Sequence, residues 1–221
     1  MKPRVSRIDT LQEIAHHRVL GVLRFDDATR LAHVVEALAE GEIYVVEVTL
    51  TMPNALEAMS GLISRLDDRV ILGAGSVLDS ETARLAILAG ARFVVSPTFC
   101  RGVIEVCHRY DVAAIPGAYT PTEIANAWEA GADLVKVFPA GALGPGYVKA
   151  VRGPLPHVRL VPTGGVRLDN AVDFLGAGAV AVGMGDALID PKAVARGEYA
   201  QIATQARRLV ASLRAAREER K

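Results

Sequence analysis

The sequence predicts an α/β protein of the (β/α)8 TIM-barrel class, with an N-terminal helix and a long C-terminal helix. Apolar strand-like runs alternate with helical patterns from end to end, and this alternation is typical of a parallel sheet covered by helices. Alanine, valine, leucine and glycine dominate the composition, and only 5% of the residues are aromatic. No linker-like segment interrupts the series, so residues 1–221 are expected to form a single domain.

Each predicted element rests on its own local signal. Eight apolar runs predict strands over residues 19–24, 43–49, 70–72, 93–96, 112–115, 134–138, 159–162 and 180–182. Amphipathic stretches predict helices between strands over residues 27–40, 53–66, 80–89, 102–110, 121–130 and 168–175, and flanking helices over residues 8–16 and 199–219. Asp79 or Ser80 can cap the helix that follows it. Thr120 can cap another, with Pro121 in its first turn and Glu123 three residues beyond the cap.

A doubly wound open sheet would show the same alternation. The nucleotide-binding signature of that fold is absent, because Gly73-Ala74-Gly75 is followed by Leu78 instead of glycine, and Gly183-Met184-Gly185 is followed by Leu188. This absence favours the barrel.

Composition excludes several classes of function. The 25 basic and 25 acidic residues give a formal net charge of zero, which predicts no binding to nucleic acid or to an anionic membrane. The five histidines lack paired metal-ligand spacing, so no metal is expected. Cys100 and Cys107 lie roughly 10 Å apart along a helix, which is beyond disulfide reach. Two thiols, with no signal peptide and no membrane-spanning run, predict a cytoplasmic protein.

Two ionisable residues of opposite charge lie inside apolar strands. Lys136 is one of only five lysines, and burial in such a strand favours the neutral, nucleophilic amine that forms a Schiff base. The alternative is a side chain whose head reaches water at the strand end. Glu47 argues against that alternative, because it lies in the same kind of position on another strand. Side-chain alternation sends both residues inward, where we expect them to share the mouth of the barrel.

Other strand ends supply compatible groups. Arg24 can hold a substrate carboxylate in a bidentate fork, and Ser76 or Thr163 can add hydroxyl donors. Glycine-rich turns after the seventh and eighth strands predict phosphate binding through backbone N–H groups, although tight turns need glycine in any case. The glycines of these turns are Gly164, Gly165, Gly183 and Gly185, and the remaining predicted pocket residues are Thr49, Pro97 and Phe138.

Six motifs follow one another in a characteristic order. They are Glu47-Val48-Thr49-Leu50, Gly73-Ala74-Gly75-Ser76-Val77-Leu78, Ser96-Pro97, Pro116-Gly117 with Thr120-Pro121-Thr122-Glu123, Lys136-Val137-Phe138-Pro139-Ala140, and Pro162-Thr163-Gly164-Gly165-Val166. Over nearly the whole chain, this set resembles the class I 2-dehydro-3-deoxy-6-phosphogluconate (KDPG) and 4-hydroxy-2-oxoglutarate (KHG) aldolases.

The resemblance implies that Lys136 forms a Schiff base with the C2 carbonyl of a 2-keto acid and that Glu47 is the general acid and base. Glu47, directly or through a water, would remove the C4 hydroxyl proton, and cleavage of the C3–C4 bond would leave a pyruvate enamine on Lys136. The implied products are pyruvate and glyceraldehyde 3-phosphate. The resemblance also implies a homotrimer that needs no cofactor other than the covalent imine.

Three positions depart from the family pattern. Thr51 replaces an arginine that contacts the pyruvate carboxylate in many members, and Arg24 can supply that charge instead. Gly141 replaces a frequent glutamate. Asp186 replaces the serine that usually donates to the phosphate. If Asp186 faces the ligand, its carboxylate repels a phosphate dianion and favours an unphosphorylated acid; the alternative is a helix N-cap that points away from the pocket.

Three functions are therefore open at the level of sequence. The first is a KDPG aldolase, and the second is an aldolase that prefers unphosphorylated 2-keto-4-hydroxy acids such as 4-hydroxy-2-oxoglutarate or 2-dehydro-3-deoxygluconate. The third is a self-assembling trimeric or cage-forming scaffold built on this barrel. A phosphosugar epimerase is disfavoured, because its chemistry needs no strand-buried lysine.

Overall fold

The computed structural model describes residues 6–63 and 65–218, and the fold is α/β. The strands are β1 Val19–Leu23, β2 Val45–Thr49, β3 Ile71–Gly75, β4 Phe93–Val95, β5 Ala113–Ile115, β6 Gly117–Ala118, β7 Val135–Val137, β8 Leu160–Pro162 and β9 Val182–Met184. The helices are α1 Arg7–His17, α2 Leu31–Glu40, α3 Ala55–Leu62, α4 Ser80–Leu88, α5 Arg101–Arg109, α6 Pro121–Glu129, α7 Gly144–Arg152, α8 Ala171–Gly176, α9 Pro191–Arg196 and α10 Tyr199–Glu218.

The strands form two parallel sheets, one of six strands in the order β5-β4-β3-β2-β1-β9 and one of three in the order β6-β7-β8. On one side, the sheets meet where Thr163 bridges Gly183 and where the Val180 N–H donates to the Leu160 carbonyl at 3.0 Å. On the other side, only Pro116 separates β5 from β6, and its carbonyl accepts from the Lys136 N–H at 2.9 Å. All strands therefore end at the same edge.

Buried residues on opposite faces of the strands form two separate clusters. The inner cluster includes Leu20, Val45, Ile71, Phe93, Leu134 and Val161, with Ile14 of α1 packed among them. The outer cluster lies under the helices and includes Val46, Val48, Val135 and Val137. This division agrees with the predicted inward faces of β2 and β7, because side chains alternate along a strand.

Several boundaries differ from the prediction for physical reasons. The predicted helix over 27–40 starts as a 3-10 turn, Ala28–Arg30, in which the Asp27 side chain accepts from the Thr29 N–H. The predicted strand over 180–182 lies further along, at β9. Helices α7 and α9 fall outside the predicted stretches, because both starts contain proline, and that of α7 also glycine. In sequence these residues indicate turns, although proline is accepted in a first helical turn. Residues 64 and 219, within predicted helices, lie outside the described residues.

Three further observations concern the exclusions made from composition. Within residues 6–63 and 65–218, no helix is both long and apolar enough to cross a membrane. The same residues contain no group of three or more histidine, cysteine, aspartate or glutamate side chains that could hold a metal ion. Cys100 and Cys107 are both free thiols, as their spacing predicts. Burial, and to a lesser extent the charge of Asp133, raises the pKa of Cys107 to about 12.

Candidate active site

Lys136 of β7 and Glu47 of β2 meet on the inner face of the strands. Their side chains are 7% and 3% exposed, and Lys136 Nζ lies 3.7 Å from Glu47 Oε1. The Lys136 head is therefore buried, in contrast to the alternative in which it reaches water at the strand end. The same nitrogen lies 5.2 Å from the centroid of the Phe138 ring, within the range of a cation–π contact.

Two glycines of β3 make room for neighbouring side chains, one of them Glu47. A Cβ on Gly75 would lie 2.0 Å from Glu47 Oε1, so the carboxylate occupies the space that a side chain at this position would fill. A Cβ on Gly73, which is level with Glu47 in the strand register, would lie 2.4 Å from the Phe93 ring. The Gly73-Ala74-Gly75 segment thus has a steric role beside Glu47.

The Glu47 carboxylate retains acceptor capacity. Its Oε1 atom is buried, and no described residue donates a hydrogen bond to it. A buried acceptor without a donor is costly to maintain, and such atoms in folded proteins call for an explanation. An oxygen that is free to accept a proton beside an amine is what a general base requires.

Lys136 lines a cavity of about 300 Å³ at the ends of the strands. Seven of the predicted site residues line it, namely Arg24, Lys136, Phe138, Thr163, Gly164, Gly165 and Gly185. The others in its wall are Val22, Val166, Arg167, Asp186 and Ala187. The structure therefore brings together groups from four strand ends, those of β1, β7, β8 and β9.

Five predicted site residues are not in the cavity wall. Glu47 lies beside Lys136, as described above. The Thr49 hydroxyl is fully buried and donates to the Leu23 carbonyl at 2.9 Å, so it ties β2 to β1. A Cβ on Gly183 would lie 2.4 Å from Thr163 Oγ1, so this glycine makes room for Thr163. Ser76 has a positive φ of 60°, and the Pro97 carbonyl packs against Gly117.

The cationic residues of the wall differ in their availability. Arg24 is exposed at the end of β1, and no described residue forms an ion pair with it. Arg167 also lines the cavity but was not among the predicted site residues. The signal that could have identified it is its basic side chain directly after Gly164-Gly165-Val166, a segment that was predicted to line the site. Arg167 is already paired, with its Nε 3.0 Å from Asp169 Oδ1. Arg24 is thus the arginine of the wall that forms no ion pair with a described residue, whereas the Arg167–Asp169 pair is solvent-exposed, at 58% and 70%, and therefore weak.

Asp186 lines the cavity and does not cap a helix. The N-cap of α9 is Asp190, whose side chain accepts from the Lys192 N–H at 2.9 Å. Asp186 instead lies in a turn in which the N–H groups of Leu188 and Ile189 donate to the Gly185 carbonyl. The interpretation of Asp186 as an outward-pointing cap is therefore wrong for this structure.

Gly141 acquires a physical role that its sequence context does not reveal. Its N–H donates to the Gly164 carbonyl at 2.7 Å, and a Cβ at this position would lie 2.8 Å from the Gly165 Cα. Gly141 therefore packs directly behind the glycine turn in the cavity wall, and a glutamate would not fit there without moving the turn.

Comparison with known proteins decides the family. Residues 10–205 match the family model described as "KDPG and KHG aldolase". The chain belongs to this aldolase family. It is 36% identical over 199 residues to the 2-dehydro-3-deoxy-phosphogluconate aldolase of Treponema pallidum, covering 90% of this chain and 93% of the relative. The resemblance predicted from the six motifs is thus confirmed.

Two solved structures extend this family comparison. The KDPG aldolase of Legionella pneumophila, with pyruvate captured as a covalent carbinolamine intermediate, aligns with a TM-score of 0.84 at 29% identity, covering 90% of this chain and 97% of that one. A cube-shaped protein cage designed by fusing symmetric oligomeric domains aligns with a TM-score of 0.83 at 30% identity, covering 92% of this chain and 74% of that one.

Proposed function

We propose that this family member is a class I aldolase in which Lys136 forms an imine with the C2 carbonyl of a 2-keto-4-hydroxy acid and releases pyruvate. The observation that carries the proposal is the buried pair: the Lys136 amine lies 3.7 Å from a Glu47 oxygen that accepts no hydrogen bond from a described residue, and the amine opens onto a cavity. The covalent intermediate in the Legionella relative supports the same chemistry.

The proposed steps use these two side chains in turn. The Lys136 amine adds to the C2 carbonyl, and loss of water gives a protonated imine that draws electrons toward nitrogen. Glu47 takes the proton of the C4 hydroxyl, directly or through a water, the C3–C4 bond breaks, and an aldehyde leaves. The remaining enamine is protonated at C3, and water hydrolyses the imine to pyruvate and the free amine. No other cofactor takes part.

Substrate binding is assigned to the strand ends. Arg24 pairs with the C1 carboxylate, because it is the arginine of the wall that forms no ion pair with a described residue, and Thr163 supplies a hydroxyl donor. Ser76, the other predicted hydroxyl donor, lies outside this wall and is assigned a place near the substrate only by its position after β3. The turns with Gly164, Gly165, Gly183 and Gly185 surround the far end of the substrate. The name of the Treponema relative supports KDPG as the substrate, with glyceraldehyde 3-phosphate as the aldehyde. An unphosphorylated 2-keto-4-hydroxy acid is the second candidate, because Asp186 lines the cavity.

The proposal includes the larger architecture. A single (β/α)8 barrel in which the two sheets join is supported by the contacts at Thr163 and Gly183 on one side and at Pro116 on the other. A homotrimer is supported by the likeness of this chain to a cage built from symmetric oligomeric domains. The same likeness supports the alternative function as a cage-forming scaffold. The two free thiols support a reducing, cytoplasmic setting.

Trapping with borohydride tests the chemistry. Wild-type protein treated with pyruvate and borohydride should lose activity and gain one three-carbon adduct, located on Lys136 by mass spectrometry. Lys136→Ala should gain none, whereas Glu47→Gln should still be trapped but release pyruvate from substrate at least about 100-fold more slowly. Lys149→Ala, at an exposed lysine of α7, is the matched control and should behave as wild type. An adduct that persists in Lys136→Ala would refute the assignment.

A further inference from the structure

We infer that Tyr147 of α7 is a positioning residue for the reaction: its hydroxyl holds the segment between β7 and α7 so that the Phe138 ring stays against the Lys136 amine. The inference rests on the proposed function, in which that amine attacks a carbonyl carbon. The observation behind it is that the Tyr147 hydroxyl donates a hydrogen bond to the backbone carbonyl of Tyr119, which follows β6.

This bond continues the connection between two neighbouring strands. β6 and β7 lie side by side in a parallel sheet, and the Phe138 N–H just beyond β7 donates to the Ala118 carbonyl of β6 at 3.0 Å. The next carbonyl along the chain, that of Tyr119, accepts from the Tyr147 side chain. Tyr147 therefore fastens the far end of the segment that follows β7 to the same strand that holds its near end.

The Tyr119 backbone is a fixed support for this bond. Its N–H donates at 2.8 Å to Glu123 Oε2, which belongs to the capping box at the start of α6. One helix thus holds the Tyr119 N–H and another holds its carbonyl, so the acceptor is itself well positioned. Burial, and then the negative charge of Glu123, raise the pKa of the Tyr147 hydroxyl, which therefore keeps its proton and remains a donor at neutral pH.

The segment between Phe138 and Tyr147 forms one wall of the reaction site. The Phe138 ring lines the Lys136 cavity, with its centroid 5.2 Å from Lys136 Nζ. A Cβ on Gly164 would lie 3.0 Å from this ring, so the ring also packs against the glycine turn. Further along, the Gly141 N–H ties the segment to the Gly164 carbonyl on the β8 side, whereas Tyr147 ties it to the β6 side.

Loss of the tie on the β6 side lets this wall move relative to the amine. Attack on a carbonyl carbon requires the reacting atoms to be aligned at about 3–3.5 Å, and small displacements of positioning groups cost rate. Removing the Tyr147 hydroxyl should therefore slow imine formation, although this hydroxyl is not itself in the cavity wall.

Tyr44 provides a matched control. Its hydroxyl also forms a hydrogen bond, accepting from Arg69 Nη1 at 2.7 Å, and both tyrosines are partly buried. Tyr44 directly precedes β2, at the opposite end of the strands from the cavity. Replacing either tyrosine by phenylalanine removes the same group, and only Tyr147→Phe changes a support of the reaction site.

The test measures how fast pyruvate is trapped on Lys136. Cyanoborohydride reduces the imine to a secondary amine, and mass spectrometry follows the adduct against time and pyruvate concentration. Tyr147→Phe should lower the maximal trapping rate about tenfold and leave the half-saturating pyruvate concentration within about twofold of wild type, because Arg24 is untouched. Tyr44→Phe should match wild type in both quantities. Both variants should show similar, small decreases in urea midpoint, so lost stability alone does not account for the difference.

A second background shows whether Tyr147 acts through Phe138. Phe138→Leu removes the ring, so adding Tyr147→Phe to it should slow trapping by no more than about twofold further. The inference is overturned by a wild-type trapping rate in Tyr147→Phe, by equal slowing in Tyr44→Phe, or by the full further loss in the Phe138→Leu background. Failure of the proposed function looks different, because wild type itself would then gain no adduct on Lys136.

Discussion

At the scale of the residue, the Lys136–Glu47 ion pair is costly in free energy to bury, and its Glu47 Oε1 atom lacks a described hydrogen-bond donor. Both side chains are nearly inaccessible to solvent, and removing two charges from water costs free energy that their mutual attraction repays only with good geometry and further hydrogen bonds. Here the nitrogen and oxygen are 3.7 Å apart and Oε1 has no described donor. Such a pair contributes little to stability, so its presence in the core is better explained by chemistry.

The position of the Glu47 carboxylate depends on residue 75 being a glycine, because any side chain there would occupy the same space. Gly75→Ala would put a Cβ 2.0 Å from Glu47 Oε1, so the Glu47 carboxylate must leave its present position 3.7 Å from the Lys136 amine. We expect pyruvate trapping to persist, because Lys136 is untouched, and substrate cleavage to slow at least about 100-fold through loss of the general base. Stopped or continuous assays of pyruvate release measure the rate.

Gly146→Ala is the control for that experiment, because nothing lies within 4 Å of a Cβ at this position of α7. It should cleave substrate at the wild-type rate and gain up to about 1 kcal/mol in free energy of unfolding, since alanine is the better helix former. Normal cleavage by Gly75→Ala would contradict the role given to Glu47.

At the scale of the element, α6 shows how completely a few residues can determine a helix start. Thr120 Oγ1 accepts from the Glu123 N–H at 3.3 Å, and Glu123 Oε2 accepts from the N–H groups of Thr120 and Tyr119 at 2.8 Å each. Pro121 occupies the first turn. This is the capping box that the sequence predicts.

Removing the cap should destabilise the protein by a predictable amount. Thr120→Ala should lower the free energy of unfolding by about 1 kcal/mol, measured by urea denaturation at pH 7, whereas the exposed Thr122→Ala should change it little.

The effect of pH follows from Glu123. Hydrogen bonds from the backbone N–H groups, of Thr120 first and Tyr119 second, lower the pKa of Glu123 in the folded protein. Its contribution is therefore complete above the ordinary value of 4.5 and is lost as the pH falls through the lowered pKa. A Glu123→Gln variant whose stability has the same acid dependence as wild type would contradict this account.

The turn after β8 is held in place by a second turn behind it. Gly141→Ala would bring a Cβ within 2.8 Å of the Gly165 Cα, so the glycine turn of the cavity wall must shift. We expect kcat/KM to fall by about tenfold or more, because small displacements of substrate-positioning groups are costly, while pyruvate is still trapped on Lys136. Ala142→Ser, at an exposed position of the same turn, should retain wild-type kinetics. Unchanged kcat/KM in Gly141→Ala would show that the turn adapts.

At the scale of the whole molecule, helix α4 and the segment just before it expose three leucine side chains to solvent. Leu85 and Leu88 lie three residues apart on α4, and Leu78 lies just before this helix; they are 52%, 64% and 59% exposed. Residues with this spacing share a helix face, and a contiguous apolar surface often marks a site of protein association. This face is a candidate contact for the proposed homotrimer.

Solution mass tests the assembly. Light scattering should give three times the chain mass of 23.5 kDa for wild type. The double variant Leu85→Glu, Leu88→Glu should dissociate the assembly, because burying two carboxylates in an apolar contact is unfavourable. Ile8→Glu, which changes an exposed apolar residue of α1, should leave the mass unchanged. A much larger closed particle would instead favour the scaffold, and a monomeric wild type would contradict the trimer.

The sequence by itself determined the alternation of strands and helices, though not β6, α7 or α9, and it also determined the capped start of α6, the inward faces of β2 and β7, and the family. Those features depend on alternation, capping and motifs, which act over a few residues or are read directly from the chain. Tertiary structure alone decided that Gly75 makes room for Glu47, that Asp169 pairs with Arg167 while none of residues 6–63 and 65–218 forms an ion pair with Arg24, and that Asp186 lines the cavity. These outcomes depend on close packing between elements distant in sequence, where strand register and side-chain volume set each position.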